Sequence, residues 1–188
     1  MSFRDIVGTL RNGETKTAEL TLPSGASLEV DQRSIHWFNG GALMVVREKG
    51  RRRLLVVELE KSGVARRFSG EMTEVEPGVT ACVGNLNHGN AVVVREFCEA
   101  ARPRPLGLAD SFGLGDRLGI AGPAHLRAMR GTGFKVVLAQ QSIRELERTE
   151  RTPDEVMDAA TWAVLEEGWI EAWGADADHL KTEADVDL

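Results

Sequence analysis

Three groups of polar residues in the second half of the sequence have the types and spacing expected of a catalytic or ligand-binding site. In the first, Ser111–Gly119, Asp116 and Arg117 sit in a loop that contains three glycines. The others are the amide pair Gln140-Gln141 and the cluster Asp176–Lys181. Glycines let the backbone adopt positive φ angles and come close to a ligand. Carboxylate, guanidinium and imidazole groups suit proton transfer, anion binding and metal binding.

The hydrophobic periodicity around these groups predicts strands that alternate with helices. Residues 109–114, 134–139 and 175–180 are predicted strands, and helices begin near Pro123 and at a capping box, Thr152-Pro-Asp-Glu155. This β-α-β-α-β order predicts a parallel sheet with right-handed crossovers. Ligands bind at the carboxyl ends of the strands in such sheets, and all three polar groups lie at those ends. We therefore expect the groups to converge on one site.

The loop and the glutamines also have purely structural interpretations. Asp116 and Arg117 would form an ion pair that fixes the turn, while Gln140 and Gln141 would cap the next helix or contact solvent. Gly113-Leu-Gly115, after a strand, resembles a dinucleotide-binding fingerprint. The third glycine comes one position late, however, and the next strand ends in glutamine where an acidic residue is expected. Both departures disfavour a dinucleotide site.

The cluster near the carboxyl terminus contains the best candidate for a metal ligand. His179 follows a predicted strand, and its neighbour Asp178 would orient the imidazole or act as an acid or base. Lys181 adds a positive charge two residues further along the chain. A single histidine is more often structural, and the sequence shows no second ligand nearby, so both interpretations stay open.

Residues 1–84 are predicted to form an antiparallel β module with one solvated face, since short alternating runs are separated by turn residues. Asn39-Gly40-Gly41, between two such runs, is typical of a hairpin. Residues 85–105 are predicted to be a helix, capped by Asn87 or Asn90, followed by a proline-rich connector. The predicted strands of the module are 17–22, 27–30, 34–38, 42–46, 53–59, 64–68 and 79–83.

Residues 106–188 are predicted to be the first three strands and helices of a truncated (β/α) barrel. Three parallel strands cannot bury both faces of their sheet by themselves, and the last helical pattern, from Thr182, ends within its first turn. The predicted fold class is therefore α/β, with an N-terminal antiparallel β module followed by the first units of an incomplete TIM-type barrel. On this interpretation the chain is the amino-terminal part of a larger protein.

Composition narrows the class of protein. The chain has 188 residues, is 42% hydrophobic and carries a net charge of -6, which gives no electrostatic footprint for nucleic acid. No apolar run approaches membrane-spanning length, and the first eight residues lack the apolar core of a signal peptide. Cys82 and Cys98 lie far apart without metal-binding spacing, which fits a reducing compartment. We expect a cytoplasmic globular protein without nucleic-acid or membrane partners.

Four segments resemble the tagaturonate epimerase family: Ser111–Gly119, Ala139–Arg148, Arg151-Thr-Pro153 and Gly174–Thr182. The resemblance is strong from about residue 103 onward and looser in the β module. It implies a cytoplasmic sugar-acid epimerase that depends on a divalent metal cation. It also implies a TIM-type barrel related in layout to class II aldolases. The substrates would be D-tagaturonate and D-fructuronate. Members of this family are considerably longer than this chain.

The resemblance also implies a reaction and roles for the polar residues. The epimerised carbon lies β to the ketone, so simple enolisation cannot invert it, whereas a retro-aldol route can. Asp116 or Asp178 would be the general base, and His179 would be one metal ligand. Residues proposed to bind the substrate, including its carboxylate, are Arg117, Gln140, Gln141, Arg144 and Lys181.

Two other functions fit the same residues. One is a metal-dependent sugar-acid aldolase that shares the start of the barrel, and the other is a non-catalytic binding or assembly module. Because the remaining barrel strands and metal ligands would lie beyond this chain, we expect the 188 residues alone neither to bind metal tightly nor to turn over tagaturonate. The sequence gives no sign of the metal's identity or of the oligomeric state.

Overall fold

The chain divides into two compact units, Met1–Cys98 and Glu99–Leu188. Its structure, a computed structural model, describes residues 3–13, 16–176 and 182–186. The first unit contains an antiparallel sheet and the second a parallel sheet. The predicted α/β class, with an antiparallel sheet followed by a parallel one, is confirmed. No helix within the described ranges is long and apolar enough to cross a membrane.

The first unit is built around a single antiparallel sheet. Its strands are ordered β1-β2-β4-β5-β7-β6, and β3 pairs with β4. Two 3₁₀ turns, Gln32–Ser34 and Val64–Arg67, interrupt the strands. The helices and strands are α1 (Phe3–Arg11), β1 (Thr17–Thr21), β2 (Ser27–Asp31), β3 (His36–Phe38), β4 (Gly41–Glu48), β5 (Arg51–Glu58), β6 (Gly70–Glu76), β7 (Val79–Gly84) and α2 (His88–Phe97).

Tight turns set the register of the central strands. The predicted hairpin at Asn39-Gly40 is confirmed: Phe38 pairs with Gly41, and Gly40 has a φ of 82°. Lys49 and Gly50, between β4 and β5, both have positive φ, 48° and 78°. A two-residue turn of this second kind, with positive φ at both positions, matches the right-handed twist of the strands it joins.

The prediction of one solvated face is wrong for the central strands. On one face, Met44 of β4 belongs to the core cluster that includes Val7 and Leu10 of α1. Leu43 and Val45, which alternate with Met44, are buried as well. Phe97 of α2 packs against other aromatic rings of the unit, including that of Phe38 with centroids 6.2 Å apart. The amphipathic helix α1, which the strand patterns did not reveal, supplies the cover for one face.

The predicted strand at residues 64–68 is also wrong, because this segment forms a 3₁₀ turn. The cause is the buried carboxylate of Glu58, which accepts hydrogen bonds from the backbone N–H groups of Gly63 at 2.6 Å and Ala65 at 3.0 Å. These bonds hold the chain in a tight turn at the end of β5. The strand that follows, β6, is an edge strand rich in exposed acidic residues, so it lacked an apolar alternation.

The second unit contains a three-stranded parallel sheet in the order β10-β9-β8. Predicted residues 177–180 of its third strand lie outside the described residues, and the strand is observed at 173–176. Short 3₁₀ turns occur at Glu99–Ala101 and Glu183–Val186. The helices and strands are β8 (Ser111–Gly113), α3 (Gly122–Met129), β9 (Lys135–Gln140), α4 (Ile143–Thr149), α5 (Pro153–Glu167) and β10 (Trp173–Asp176).

Helix α5 covers one face of this sheet, and both of its ends carry capping residues. The predicted capping box is present: Thr152 Oγ1 accepts from the N–H of Glu155, and the Glu155 carboxylate accepts from the N–H of Thr152. Gly168, with a φ of 57°, ends the helix. Between α5, α3 and the sheet lies the core cluster Leu114, Leu126, Val136, Leu138, Ala139, Ala160, Ala163, Val164, Trp169 and Trp173.

Candidate functional site

Asp116 lies in the loop that follows β8 and anchors the start of helix α3. Its Oδ2 atom accepts hydrogen bonds from the backbone N–H groups of Ala121, at 2.7 Å, and Gly122, at 3.0 Å. The N-cap residue Ala121 has no side chain that could do this. A carboxylate at this position satisfies free N–H groups and interacts favourably with the positive end of the helix dipole. Asp116 therefore has a structural role in addition to any chemical one.

Arg117 extends in another direction and pairs with helix α4. Its Nε atom lies 2.5 Å from Oε1 of Glu145, and 71% of the Arg117 side chain is exposed. The predicted ion pair between Asp116 and Arg117 is therefore wrong, because the two side chains bind different partners. The Glu145 side chain, by contrast, is only 20% exposed, so the pair is exposed on the Arg117 side alone.

Arg151, just before helix α5, connects the loop to two other segments. Its Nη1 atom donates to the carbonyl oxygens of Asp116, at 2.9 Å, and Arg117, at 3.2 Å, and to Oε1 of Gln141, at 3.1 Å. Its Nη2 atom donates to the carbonyl oxygen of Glu155 at 3.1 Å. One guanidinium therefore ties the loop after β8 to the end of β9 and the first turn of α5.

The two glutamines at the end of β9 have different surroundings. Gln141 is only 6% exposed, and besides Arg151 it contacts Thr149 Oγ1 through Nε2 at 3.4 Å. The Gln140 side chain covers Gly113, where an added Cβ would lie 2.8 Å from Gln140 Cδ. Its Nε2 atom is 3.5 Å from Oδ2 of Asp176, at the end of β10. Gln141 thus helps to hold Arg151, whereas Gln140 lies across the carboxyl ends of the three strands.

A small cavity separates Asp116 from the core. It is lined by Asp116 and Arg151 together with apolar residues that include Leu114 and Leu138, and its volume is about 10 Å³. This is roughly the space that one water molecule needs. A cavity of this size is too small for a sugar acid.

Of the remaining predicted site residues, only Arg144 lies among the described residues. Asp178, His179 and Lys181 lie outside the described residues, and Arg144 is exposed on α4, next to Glu145. Within the described residues, no three or more His, Cys, Asp or Glu side chains come together as a metal-ligand set. The described residues therefore do not form a metal centre by themselves.

Arg151 is the residue that prediction from the sequence missed. It was part of the resembling segment Arg151-Thr-Pro153, but an arginine just before a helix N-cap carries no local signal of a function. Two of its four acceptors, the carbonyl oxygens of Asp116 and Arg117, lie 35 and 34 residues away in sequence. Only the folded chain brings them together.

Comparison with known proteins connects this geometry to a family. A family model described as tagaturonate epimerase matches residues 31–188. The tagaturonate/fructuronate epimerase of Thermotoga maritima is 40% identical over 162 residues, which cover 86% of this chain and 33% of that enzyme.

Solved structures of a second enzyme show the same similarity. The native crystal structure of the fructuronate-tagaturonate epimerase UxaE from Cohnella laeviribosi matches with a TM-score of 0.76 at 34% identity, covering 98% of this chain and 34% of that one. A one-glycerol complex of that enzyme matches with a TM-score of 0.75 at 35% identity. This chain spans about a third of the length of these relatives.

Proposed function

Because the chain belongs to the tagaturonate epimerase family, we propose that it supplies the amino-terminal third of an isomerase that interconverts D-tagaturonate and D-fructuronate. The observation that carries the proposal is the extent of the similarity, which covers 98% of the chain in the Cohnella laeviribosi enzyme at 34% identity. We further propose that the protein is cytoplasmic and acts on a small sugar acid without nucleic-acid or membrane partners.

The parallel sheet is proposed to be the first part of a TIM-type barrel. Two features support this: strands β8, β9 and β10 are adjacent in chain order, and helices lie between them. In a barrel, each βα loop at the carboxyl end of a strand lines the active site. The loop with Asp116 and the glutamines after β9 occupy that position. Strands from the rest of the protein would pair with the outer edges of β8 and β10.

The proposed reaction is a retro-aldol epimerisation. A base removes the proton from the hydroxyl group of the carbon to be inverted, which is β to the ketone. The bond between that carbon and the α carbon of the ketone then breaks. The products are an aldehyde and an enediolate, and the aldehyde turns before the enediolate adds to its other face. The proposed base is either Asp116 or Asp178. Since Asp116 Oδ2 is held by two backbone N–H groups, its other oxygen would be the one to accept the proton.

Positive groups near the loop would hold the substrate carboxylate. Arg117 is suited to this because its side chain is 71% exposed, and Arg144 and Lys181 are further candidates. Gln140 is proposed to contribute an amide contact to the substrate, whereas Gln141, which is only 6% exposed, is proposed to act by holding Arg151. A divalent cation, with His179 as one ligand, would stabilise negative charge on the substrate oxygens. Its remaining ligands would come from outside the described residues.

A chimeric enzyme tests the proposal. Residues 31–188 of this chain would replace the aligned part of the Thermotoga maritima epimerase, and conversion of tagaturonate to fructuronate would be followed by NMR. We expect conversion by the chimera and none by the 188-residue chain alone. A folded chimera without activity, or activity of the isolated chain, would contradict the proposal. Release of a free aldehyde as the main product would favour the aldolase alternative.

A further inference from the structure

We propose that Arg151 is a positioning residue, which holds the Asp116–Arg117 loop in the conformation that the reaction needs. The inference rests on the proposed function, because the loop carries a proposed base and a proposed carboxylate ligand. Arg151 itself is not assigned to contact the substrate. Its guanidinium lies behind the loop, between the loop, Gln141 and the first turn of α5.

The contacts of Arg151 suit this role better than a role in general stability. Of its four hydrogen-bond acceptors, two are the consecutive carbonyl oxygens of Asp116 and Arg117, so the guanidinium fixes the peptide that joins them. The other two, Gln141 Oε1 and the Glu155 carbonyl, belong to the regular elements β9 and α5 and their ends. The loop is thus held against two rigid elements by one planar group with fixed donor directions.

The loop is shaped to accept this side chain. Gly119 has a φ of 67°, and a Cβ added there would lie 2.8 Å from Arg151 Nη2. An alanine would therefore both strain the backbone and push the guanidinium away. By contrast, Gly131 in the same unit has a φ of 80° with no atom within 4 Å of an added Cβ. These two glycines separate the effect of backbone strain from the effect of displacing Arg151.

Hydrogen exchange in the 188-residue chain tests the structural half of the inference. The variants are Arg151→Met, Arg151→Lys and Gly119→Ala, with Arg148→Met and Gly131→Ala as matched controls. We expect the amides of Ala121 and Gly122 to exchange roughly 10-fold to 100-fold faster in the three test variants, as for the loss of hydrogen bonds from a charged donor. Lysine should not rescue, since a single ammonium cannot reach all four acceptors.

Two results would overturn this half. One is unchanged exchange at Ala121 and Gly122 in Arg151→Met. The other is an equal acceleration of the buried amides in the centre of α5, such as that of Ala160, because that pattern means a global loss of stability. If Gly119→Ala and Gly131→Ala accelerate exchange at Ala121 and Gly122 equally, backbone strain explains the result. That outcome would also contradict a specific contact between Gly119 and Arg151.

Kinetics in the chimeric epimerase test the functional half. A displaced Arg117 weakens binding of the substrate carboxylate, so we expect Arg151→Met to raise KM and to lower kcat/KM by roughly 100-fold. A purely structural role would only reduce the fraction of folded enzyme, which lowers apparent kcat and leaves KM unchanged. An unchanged KM therefore refutes the positioning role. An inactive parent chimera would instead count against the proposed function, while the exchange result on the 188-residue chain still decides the position of the loop.

Discussion

Oδ2 of Asp116 lies 2.7 Å from the backbone nitrogen of Ala121, so a proposed catalytic carboxylate also caps a helix. The same oxygen accepts from Gly122 at 3.0 Å. A residue with both roles cannot be tested by alanine alone, because alanine removes the cap together with the acid. Asparagine separates the two, since its amide oxygen can still accept both N–H groups but cannot act as a base.

Asp116→Ala should destabilise the second unit by about 0.5–2 kcal/mol, the usual cost of a lost helix cap. The free energy of unfolding of Asp116→Asn should be close to that of the parent. Urea unfolding followed by the fluorescence of Trp162, Trp169 and Trp173 measures this difference. In the chimeric epimerase, Asp116→Asn should abolish turnover if Asp116 is the base. Normal turnover of the asparagine variant would leave Asp178 as the proposed base.

Glu58 should make the stability of the first unit depend on pH. Burial raises the pKa of this carboxyl group, but hydrogen bonds from the backbone N–H groups of Gly63 and Ala65 outweigh burial, so its folded pKa is lowered. The stability that these bonds contribute is therefore complete above the pKa of the unfolded chain and is lost as pH falls through the lower folded pKa.

The measurement compares the parent with Glu58→Gln by hydrogen exchange of the β5 amides at about pH 7 and about pH 3. The parent should be more stable than the variant near neutral pH, and the gap should narrow in acid. A gap that stays constant or widens in acid would show that the carboxylate is not the source of the stabilisation.

Two glycine substitutions in the first unit should have opposite effects. At Gly41 a Cβ would lie 2.6 Å from Phe38 Cζ and closer still to the carbonyl oxygen of Val57, so Gly41→Ala should cost about 1–3 kcal/mol. At Gly8, inside α1, an added Cβ would have no atom within 4 Å apart from the helix's own backbone, and Gly8→Ala should stabilise the unit by about 0.5–1 kcal/mol. Hydrogen exchange of the buried β5 amides measures both changes in stability. If both substitutions stabilise the unit, or both destabilise it, the packing argument is disproved.

Thr152→Ala should destabilise helix α5 by about 1 kcal/mol, because it removes the oxygen that accepts from Glu155 N at 3.2 Å. Thr152→Ser keeps that oxygen and serves as the control. Unfolding by urea, followed by the tryptophans of the second unit, measures both. If serine is as damaging as alanine, the lost methyl group and not the cap is responsible.

Local patterns were sufficient to predict most of the fold. The apolar runs of β4 and β5, the Asn39-Gly40 turn and the Thr152 capping box each depend on neighbouring residues, and each is found in the structure. The errors involve side-chain contacts and helix packing that hydrophobic periodicity does not encode. The turn at 64–68 is bent by the carboxylate of Glu58, and a helix near the amino terminus covers the sheet that was expected to face solvent.

The candidate site was predictable in position but not in its contacts. Strand order alone places Asp116 and Gln140 at the carboxyl ends of neighbouring strands. The partners of Asp116 and Arg117 depend on side-chain directions, which periodicity does not encode, so the predicted loop ion pair was wrong. Arg151 was missed for the same reason, since its contacts arise only once the loop and α5 are folded.

Three of the four acceptors of Arg151 are backbone carbonyls, those of Asp116, Arg117 and Glu155. Every residue has a backbone carbonyl, so these hydrogen bonds do not depend on which side chains occupy the three positions. They depend instead on the length of the chain that brings the carbonyl groups to Arg151. Engineering of this site should therefore tolerate changed side chains on the far side of the loop, whereas inserting or deleting a single residue between β8 and α3 would move both carbonyls out of reach.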